Sequence, residues 1–453
     1  MKKRFSYKFV SFFILFSFIV ILSGKILFGA KPGSIILYVY GLFVTVIISI
    51  VFYIALFKYK DPYEAAEKSL MDGEIAGNPL VSLMVAVKDE KEKIKDCIDS
   101  LIRQDYQNKE IIIVDDGSVD GTKDILESYR STGKIKLINL KKNIGKKKAL
   151  GKAMLKAKGE IFAFTDSDSV LALDAISKTV KILDHDPEVG AISGHCRALN
   201  AEQNLLTRIQ DSWYEGQFSI RKAFESHFGA VTCVSGPLAV FRKEAIFNYI
   251  PAWEKDSFLG QEFRFATDRT LTGFVLGSLE IGKKLKDKYK QSAFVKRIDY
   301  PEKRWKVVYS AAAKSWTTVP DNFRRFLRQQ IRWKKSFLRN IFFTGRFYWN
   351  RPFIPAFIYY FHIIFVFAAP FIIFRHLIYI PIFGDFSAIL LYLSGIIFIG
   401  FLFSYAYRLK NQDKYATPRW IYRPMMSIMS TLFLSWLIFY SIVTIKRTSW
   451  RRD

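Results

Sequence analysis

Residues 81–166 contain four short apolar runs: VSLMVAV (81–87), EIIIVDD (110–116), KIKLINL (134–140) and EIFAFTD (160–166). Runs of this length that are rich in Val, Ile and Leu are typical of strands buried on both faces of a parallel sheet. Amphipathic helical spacing appears between them, in residues 91–104, 119–131 and 146–157. This βαβαβαβ alternation with short connections predicts a doubly wound α/β sheet.

Acidic residues end two of the predicted strands. Asp115 and Asp116 close the second run, and Asp166 and Asp168 follow the fourth within FTDSDS (164–169). Alternation along a strand would put Asp166 and Asp168 on the same side, where they could share a divalent cation with diphosphate oxygens. One such pair by itself favours an ordinary turn after a strand. Because ligands bind at the carboxyl ends of such strands, two acidic ends at one edge favour a nucleotide-sugar site.

The composition excludes several classes of protein. The chain has 453 residues, of which 50% are hydrophobic, and its net charge is +27 from 68 Lys+Arg and 41 Asp+Glu. So many apolar side chains exclude a disordered chain. Three cysteines are too few for a disulfide framework and indicate a reducing compartment for the domain that carries them. His185, His195 and His227 lack the spacing of zinc ligands, so we expect no zinc site, and for His195 we prefer an ordinary structural role to one that lines an acceptor path.

Apolar stretches near both ends have lengths that can span hydrocarbon: residues 9–28, 35–57, 353–374, 386–407 and 424–445. A cleaved signal peptide is the alternative for the first stretch, because MKKRFSYK gives it a basic start. We favour a helical hairpin, since the second stretch follows immediately and no small-residue cleavage site is obvious. Basic flanks predict that the long middle segment is cytoplasmic. Five full spans would put the basic tail outside, so we predict that the last stretch re-enters or splits near Ser435–Trp436.

The chain therefore divides into four predicted parts. Residues 1–58 would form two transmembrane helices, 59–320 a cytoplasmic α/β domain, 321–350 interfacial amphipathic helices, and 351–453 a C-terminal transmembrane region with a basic tail. This predicts a multi-pass protein of the cell membrane, in contact with membrane lipids. Aromatic and basic residues in 213–228 and 321–349 could suggest nucleic acid, but the nearby membrane stretches favour an interfacial helix, and we expect no nucleic-acid partner.

The order and spacing of four motifs resemble the inverting family-2 glycosyltransferases with a GT-A fold: VSLMVAVKDE (81–90), IIIVDDGSVDGT (111–122), NIGKKKALGKA (143–153) and FTDSDS (164–169). Three more resemble motifs of processive polysaccharide synthases: CVSGPLAVFRKE (233–244), ATDRTLT (266–272) and QQIRW (329–333). With NLLTRIQDSWYEGQF (204–218) and the membrane arrangement, the chain is most similar to hyaluronan synthases. The fold class implied is an α/β GT-A domain, a doubly wound mixed sheet, between transmembrane helices.

The resemblance implies a role for each matching residue. The uridine and diphosphate of a UDP-sugar would be bound by Lys88, Glu90, Asp115, Asp116, Lys146, Asp166, Gln329 and Arg332. Asp168, assisted by Asp166, would coordinate Mg²⁺ or Mn²⁺. Acceptor contacts would come from Ser235, Gly236, Pro237 and Trp333. Asp268 in ATDR matches the general base that deprotonates the acceptor hydroxyl.

Elementary chemistry agrees with these roles. A carboxylate within hydrogen-bond reach of a sugar hydroxyl can take its proton during attack. A metal ion or basic side chains can stabilise the negative charge that develops on the leaving UDP. Direct displacement inverts the anomeric centre, so an α-linked UDP-sugar gives a β-linkage. Standing alone, QQIRW would be one face of an amphipathic helix, but downstream of two acidic strand ends we prefer the site interpretation.

Two motifs depart from the hyaluronan synthase pattern. Thr267 stands in ATDR where Gly-Asp-Asp-Arg is usual, and Trp450-Arg451-Arg452 stands where Trp-Gly-Thr-Arg is usual. UDP-GlcNAc and UDP-GlcA are the donors that the resemblance implies. The choice among hyaluronan and chitin-, cellulose- or cellobiuronic-like polymers stays open, as does the oligomeric state.

Two alternatives come from different functional classes. One is a nonprocessive enzyme that transfers a single sugar to a lipid carrier, and QQIRW argues against it. The other is a membrane receptor or scaffold with a degenerate GT-A domain, which the presence of Asp116, Asp166, Asp168 and Asp268 opposes. A growing extracellular polysaccharide, translocated by the enzyme itself, is therefore the predicted partner.

The resemblance does not account for the basic segment 283–306. It holds ten Lys/Arg and three Asp/Glu and is longer than we expect in a hyaluronan synthase. A solvated surface insertion is the simplest interpretation, because charged runs usually are. Our hypothesis is that the segment rests on anionic lipid headgroups, which attract nearby basic residues.

Overall fold

The computed structural model describes residues 35–72, 77–383, 386–410 and 422–447. The predicted span 9–28, most of the basic loop before Tyr422, and Trp450-Arg451-Arg452 lie outside these residues. Ten strands are described: β1 Val81–Val87, β2 Lys109–Asp115, β3 Lys136–Asn139, β4 Ile161–Phe164, β5 Ser169–Leu171, β6 Val189–Ala198, β7 Ala239–Arg242, β8 Ser257–Phe258, β9 Gln261–Glu262 and β10 Lys306–Thr317.

Eight of these strands form one mixed sheet in the order β3-β2-β1-β4-β7-β6-β10-β5. The half predicted from the sequence is parallel, with β1 between β2 and β4 and with β3 beside β2. Strand β7 then pairs antiparallel with both β4 and β6, and β10 runs parallel to β6 and antiparallel to β5. The predicted fold class, a mixed α/β sheet of GT-A type, is confirmed.

Helices pack on the sheet and continue towards both ends of the chain. The α-helices are α1 Ile35–Tyr53, α2 Pro62–Met71, α3 Ile94–Ile102, α4 Thr122–Ser131, α5 Lys146–Lys156, α6 Ala175–His185, α7 Leu205–Gly216, α8 Ala223–His227, α9 Lys243–Ile246, α10 Ile250–Glu254, α11 Thr267–Leu276, α12 Ser278–Lys288, α13 Ala293–Arg297, α14 Phe323–Phe343, α15 Phe353–Phe374, α16 Ile380–Ile382, α17 Ser387–Lys410, α18 Tyr422–Met429 and α19 Leu437–Val443. π-Helical turns extend or join several of them: Ile54–Lys58, Gln217–Lys222, Arg375–Tyr379 and Ser430–Leu434.

The core lies on both faces of the sheet. Alternate residues of β1 point to opposite faces, because the side-chain period of a strand is two. Leu83 and Val85 belong to a cluster with Ile98 of α3, while Met84 belongs to the cluster that includes Met154 of α5. Burial on both faces explains why these strands are continuous apolar runs in the sequence.

The predicted element boundaries agree with the structure to within three residues. The first run is matched at both ends by β1, and the second lies one residue away from β2. Strand β4 is shorter than the fourth predicted run. It ends at Phe164, so Asp166 and Asp168 lie beyond the strand. The prediction that strand alternation puts these two carboxylates on the same side is therefore wrong. They occupy a turn in which Ser169 N–H donates to Asp166 O at 3.0 Å.

The link between α1 and the sheet domain is fixed by Tyr59 and Asp61. Tyr59 Oη donates to Tyr309 O at 2.7 Å. Asp61 caps α2 through Tyr63 N–H and also accepts from Ser310 Oγ (2.8 Å), Ala311 N–H (2.6 Å) and Ala312 N–H (3.0 Å). These donors belong to a bulge of β10, where the register with β6 skips residues 311–313. One buried carboxylate thus satisfies backbone groups that a bulge leaves outside the ladder.

The described residues contain two helical segments long and apolar enough to cross a membrane, within Gly41–Met71 and Phe353–Ile382, or three if a bent pair counts as one span. The bent pair is Tyr422–Leu434 with Leu437–Val443, at an angle of 44°. Its break falls at Ser435–Trp436, where the sequence predicted that the last stretch re-enters or splits. The number of spans and the cytoplasmic orientation stay predictions.

The basic segment 283–306 is folded into the domain and is not a loose insertion. It completes α12, forms α13 and enters β10, with Phe294 and Trp305 buried. Lys286 is buried as well and donates to Asp299 at 2.6 Å and to Tyr300 O at 2.8 Å. Other lysines of α12 remain on the surface, and the lipid contact stays a hypothesis.

Candidate functional site

The candidate site lies at the carboxyl ends of the parallel strands. Val87 at the end of β1 is paired with Asp115 at the end of β2, so Lys88 and Asp116 follow neighbouring strands at one edge. The carboxylate of Asp115 is buried and accepts from Ser118 N–H at 2.9 Å, which shapes the turn after β2. The structure thus places the end of β2, with Asp115 and Asp116, beside the end of β1.

The turn after β1 has a left-handed residue. Asp89 has a φ of +51°, which is unusual for a residue other than glycine. Its backbone N–H donates to Ser118 Oγ at 3.0 Å, and its carboxylate accepts from Val119 N–H at 2.8 Å. Lys88 Nζ donates to Asp89 Oδ2 at 2.8 Å and to Gly117 O at 3.0 Å. These bonds hold Lys88 between the turns that follow β1 and β2.

Asp116 organises the loop that leads into α5. Its two carboxylate oxygens accept from Ile144 N–H at 2.7 Å and from Gly145 N–H at 3.0 Å. Gly145 has a φ of +90°, a region that only glycine adopts readily. Burial raises the pKa of Asp116, although both N–H donors and Lys88 act in the opposite direction. This carboxylate therefore sets the position at which α5 begins with Lys146.

Lys146 forms an ion pair with Asp166, so α5 is joined to the turn after β4. Burial opposes the charge on Lys146, but the carboxylate of Asp166 outweighs this effect and raises the pKa of the ammonium. Asp168 has Thr317 Oγ1 of β10 as a donor at 3.3 Å. Burial, and then the carboxylates of Asp166 and Glu90, raise the pKa of Asp168 to about 6. The centre thus has more carboxylate charge than Lys146 alone can balance.

The predicted acceptor segment lies against this acidic centre. A Cβ at Gly236 would stand 2.7 Å from Asp166 Oδ2, so no larger residue fits there without a shift. Pro237 O accepts from Thr165 Oγ1 at 2.8 Å. Ser235 is half-buried, and its Oγ accepts a hydrogen bond from Lys222. Lys222 belongs to no motif, so the sequence does not predict its position here.

Asp268 occupies the first turn of α11, next to the acceptor segment. It follows Ala266, whose φ is +59°, and its Oδ1 accepts from Arg269 N–H at 2.8 Å. Cys233 Sγ lies 3.6 Å from Asp268 Oδ2. The negative charge of Asp268 acts on the ammonium groups of both Lys146 and Lys222, which links the predicted base to both sides of the centre.

Helix α14 carries the QQIRW motif. The Trp333 ring lies 5.5 Å from that of Trp213 and 6.2 Å from that of Tyr214, both on α7, and the side chain remains 37% exposed. Tyr214 lies within the electrostatic influence of Arg332, Asp166 and Asp168 together. Gln329 Oε1 is buried, and among the described residues it has no hydrogen-bond partner. Trp333 thus presents an accessible aromatic face, and Gln329 an unused acceptor atom, on the same helix.

A buried carboxylate holds α14 against the sheet domain. Asp256 accepts from Lys147 Nζ of α5 at 2.6 Å and from Arg339 Nε of α14 at 3.1 Å. Lys147 Nζ also donates to Phe263 O at 2.8 Å. Lys147 and Arg339 are each more than 80 residues from Asp256 in the chain, and neither Asp256 nor Arg339 belongs to a motif. The sequence therefore does not predict this triad.

His195 has a structural position, as expected. It lies inside β6, with Tyr309 Oη 2.7 Å from Nδ1 and Glu215 Oε2 3.1 Å from Nε2. Arg197 also forms an ion pair with Glu215 at 3.3 Å. Burial acts in the opposite direction, but His195 and Arg197 lower the pKa of Glu215 to about 2. The network joins β6, α7 and β10 beneath the acceptor segment.

Comparison with known proteins identifies the family of the sheet domain. Residues 82–249 match the family described as Glycosyl transferase family 2, so the chain carries a family-2 glycosyltransferase domain, as its motifs predicted. These residues contain both acidic strand ends, Lys146, Lys222 and the Ser235-Gly236-Pro237 segment.

Individual relatives are of two kinds. An N-acetylglucosaminyltransferase of Bradyrhizobium diazoefficiens is 31% identical over 59% of this chain, and the match spans 51% of that protein's length. A hyaluronan synthase of Streptococcus pyogenes is 25% identical over 83% of this chain and 84% of its own length. Among solved structures, a mannosyltransferase from Pyrobaculum calidifontis, in complex with GDP-Man and Mn²⁺, has 18% identity and a TM-score of 0.46, covering 90% of this chain and 99% of its own. The similarity to hyaluronan synthase, together with the apolar helices, indicates a membrane protein.

The Asp256 triad gives a testable prediction. Asp256→Asn leaves Lys147 and Arg339 buried together without a carboxylate between them, and breaking a buried ion pair costs about 3–5 kcal/mol. We expect the variant to lose about 3 kcal/mol of unfolding free energy or more, measured as a lower thermal midpoint in detergent. The matched control is Glu262→Gln, which removes the exposed partner of Lys148 and should cost about 1 kcal/mol or less. Equal melting of the two variants would contradict the prediction.

Proposed function

We propose that the protein is a processive, inverting β-glycosyltransferase that polymerises sugars from UDP-sugar donors and translocates the polysaccharide across the membrane. By similarity to hyaluronan synthase, the proposed donors are UDP-GlcNAc and UDP-GlcA. The observation that carries the proposal is the convergence of three predicted parts on one centre: the carboxylates after β4, Asp268 of α11 and the aromatic face of Trp333.

The reaction is a direct displacement at the anomeric carbon. The acceptor hydroxyl oxygen forms a bond to C1 of the donor sugar while the bond from C1 to the diphosphate oxygen breaks. Asp268 takes the hydroxyl proton, and UDP leaves with the bonding electrons. Position supports Asp268 as the base, because its Oδ2 lies 3.6 Å from Cys233 Sγ, just before the proposed acceptor segment Ser235-Gly236-Pro237.

The donor would lie over the strand ends. Lys88, Glu90, Asp115 and Asp116 lie at or just after the carboxyl ends of β1 and β2, where the uridine would bind. Lys146 and Arg332 carry the positive charge that would stabilise the leaving diphosphate. Gln329 adds a buried acceptor atom with no partner among the described residues.

A divalent cation fits the carboxylates after β4. Burial and the carboxylates of Asp166 and Glu90 raise the pKa of Asp168. A cation bound nearby would offset both effects by stabilising the ionised carboxylate. In the described parts of the chain, no three acidic, His or Cys side chains could hold a metal by themselves. Mg²⁺ or Mn²⁺ would therefore be held by Asp168, assisted by Asp166, together with diphosphate oxygens. When bound, the ion would supply charge neutralisation for the departing UDP.

The acceptor end of the polymer would lie between the Ser235-Gly236-Pro237 segment and Trp333. The absence of a side chain at Gly236 lets the backbone approach Asp166 closely, so the acceptor can reach the donor sugar. An exposed indole face suits the apolar face of a sugar ring. Multi-pass membrane insertion with a cytoplasmic catalytic domain, contact with membrane lipids, and export of the polymer all follow from the same proposal.

A second function is favoured by a specific observation. The N-acetylglucosaminyltransferase of Bradyrhizobium diazoefficiens is 31% identical over 59% of this chain, a higher identity over a shorter match than the 25% over 83% for the hyaluronan synthase. This favours an enzyme that uses UDP-GlcNAc alone and makes a chitin-like product. Synthesis of another β-linked polymer, or transfer of one sugar to a lipid carrier, would differ from both in its donors or product.

The decisive experiment supplies each UDP-sugar, singly and in pairs, to the purified full chain in detergent with Mg²⁺ or Mn²⁺. We expect long polymer only when UDP-GlcNAc and UDP-GlcA are both present. Polymer from UDP-GlcNAc alone would select the second function, and a single-sugar lipid would exclude processive synthesis. No UDP release from any common UDP-sugar would contradict glycosyl transfer itself and favour a receptor or scaffold.

Asp268→Asn tests the assignment of the base. The amide cannot accept the hydroxyl proton, so we expect turnover to fall by at least about a hundredfold, measured as UDP release. UDP binding, followed by calorimetry, should be largely unchanged because the residue lies outside the nucleotide groove. Thr267→Ala is the matched control on the same helix turn and should retain activity. A nearly wild-type rate in Asp268→Asn would exclude it as the base.

Trp333→Ala tests the acceptor contact. Removing the indole leaves the sugar ring without its apolar platform, so we expect shorter chains and a turnover reduced by about tenfold or more. UDP binding should change little. The control is Trp349→Ala, since that tryptophan is 65% exposed and lies outside α14. Normal polymer length from Trp333→Ala would leave QQIRW as an ordinary helix face.

A further inference from the structure

Lys222 is a buried cation that the assigned roles do not explain. It ends the π-helical turn Gln217–Lys222 between α7 and α8, and π-turns often mark functional sites. Its side chain is almost fully buried, yet in the part of the chain that the structure describes it forms no ion pair with a carboxylate. Lysine is rarely buried in this way, so its partners indicate what it does.

The partners of Lys222 are two serine hydroxyls and an aromatic ring. Its Nζ donates to Ser193 Oγ at 2.7 Å and to Ser235 Oγ, and it lies 4.2 Å from the centre of the Phe218 ring. Ser193 Oγ also accepts from Ser235 N–H at 3.3 Å. The Lys222 ammonium therefore binds the hydroxyl of Ser235, and Ser193 binds its backbone N–H. Ser235 is the first residue of the acceptor segment.

These bonds fix the direction of the Ser235 hydroxyl. An ammonium has three donors and no acceptor, so the Ser235 oxygen must accept from Lys222, and its own proton points elsewhere. Among the described residues that proton has no acceptor. Ser235 is half-buried, so the proton is available to a ligand on the acceptor side.

We propose that Lys222 is a positioning residue that makes the Ser235 hydroxyl a hydrogen-bond donor to an oxygen of the acceptor sugar. This inference rests on the proposed glycosyl transfer and adds a specific contact to its acceptor site. A neutral amine at the same place could accept from Ser235 and turn the hydroxyl proton away from the sugar. The contact thus requires a charged Lys222.

The surroundings of Lys222 make this requirement observable. Burial lowers the pKa of Lys222 to about 8, although Cys233, Asp268, Glu225 and Cys196 act in the opposite direction. Glu225 lies on α8, Asp268 on α11, Cys196 on β6 and Cys233 in the loop before Ser235. Burial raises the pKa of Cys196, and it raises that of Cys233 to about 12, so neither thiol titrates near pH 8.

The sign of the pH dependence follows. Lys222 is charged below pH 8, and the Ser235 proton is then directed to the acceptor. As the pH rises through 8 the ammonium loses its proton, so turnover should fall. Lys334 of α14 also has its pKa lowered to about 8 by burial, and it needs its own control.

The experiment measures UDP release by the full chain in detergent, with the UDP-sugars that support wild-type turnover, from pH 6 to pH 10. We expect Lys222→Met to lower kcat by about tenfold or more at pH 7, as for loss of a charged hydrogen bond. KM for the UDP-sugar should stay within about twofold, because the contact is on the acceptor side. Lys222→Arg should keep most of the activity and move the alkaline fall to higher pH, because arginine does not titrate there.

Ser235→Ala separates positioning from folding. If Lys222 acts through Ser235, then Ser235→Ala should lower kcat to a similar extent, and the double variant should be no worse than either single variant. Lys286→Met removes a buried lysine on α12 and should leave the pH profile unchanged, and so should Lys334→Arg. Thermal midpoints identify any variant that fails to fold.

The outcomes are distinguishable. No turnover by the wild type with any UDP-sugar would overturn the proposed function, and this inference with it. Wild-type turnover together with an unaffected Lys222→Met, or additive losses in the double variant, would overturn the inference alone. An alkaline fall that persists unchanged in Lys222→Arg would also overturn it.

Discussion

The architecture depends on two adjacent lysines that point to different carboxylates from the first turn of α5. Lys146 pairs with Asp166 in the turn after β4, and Lys147 pairs with Asp256, which also binds Arg339 of α14. The start of α5 is itself fixed by Asp116, which accepts from Ile144 and Gly145 N–H. Lys147, Asp256 and Arg339 are buried, so a displacement of α5 or α14 alone would leave a buried charge without its partner. The proposed nucleotide site and the QQIRW helix thus share one anchor.

The electrostatics of the centre follow from this arrangement. The carboxylates of Asp166 and Asp168 act on Lys146, and that of Asp268 acts both on Lys146, on the proposed donor side, and on Lys222, on the proposed acceptor side. Lys146 is held by a carboxylate, whereas Lys222 is held by neutral hydroxyls and an aromatic ring. Burial lowers the pKa of both ammonium groups, but Asp166 outweighs this effect at Lys146, so the pKa of Lys146 is raised while that of Lys222 is lowered. The same residue type serves two purposes because its partners differ.

The sequence was sufficient for the parallel half of the sheet and for the residues at its carboxyl ends. Strands buried on both faces are continuous apolar runs, and their ends are marked by acidic residues, so β1, β2 and β4 could be predicted. The antiparallel insertion of β7 between β4 and β6 could not, since it joins residues far apart in the chain. Lys222 and Asp256 were overlooked for the same reason. Their meaning lies in distant partners, and a lysine or an aspartate outside a motif has no local signature.

Charge patterning was also an incomplete guide. The segment 283–306 has the composition of a solvated loop, yet Trp305 and Phe294 anchor it in the core, and Lys286 is held by Asp299. Net charge describes the average environment of a segment and cannot identify the few residues that are inside. The turn after β4 is a comparable case, because Asp166 and Asp168 meet through a tight turn and not through strand alternation.

The bond between Asp61 and the bulge of β10 has a mechanical consequence. The π-helical turn Ile54–Lys58 continues α1, and only Tyr59 and Lys60 separate it from Asp61. Both Tyr59 and Asp61 are hydrogen-bonded to β10. The junction between α1 and the sheet domain is therefore rigid. In a bilayer of different thickness an apolar helix adapts by tilting, and here that tilt would rotate the edge of the sheet with it. Bilayer thickness would thus set the angle at which the sheet domain meets the membrane surface.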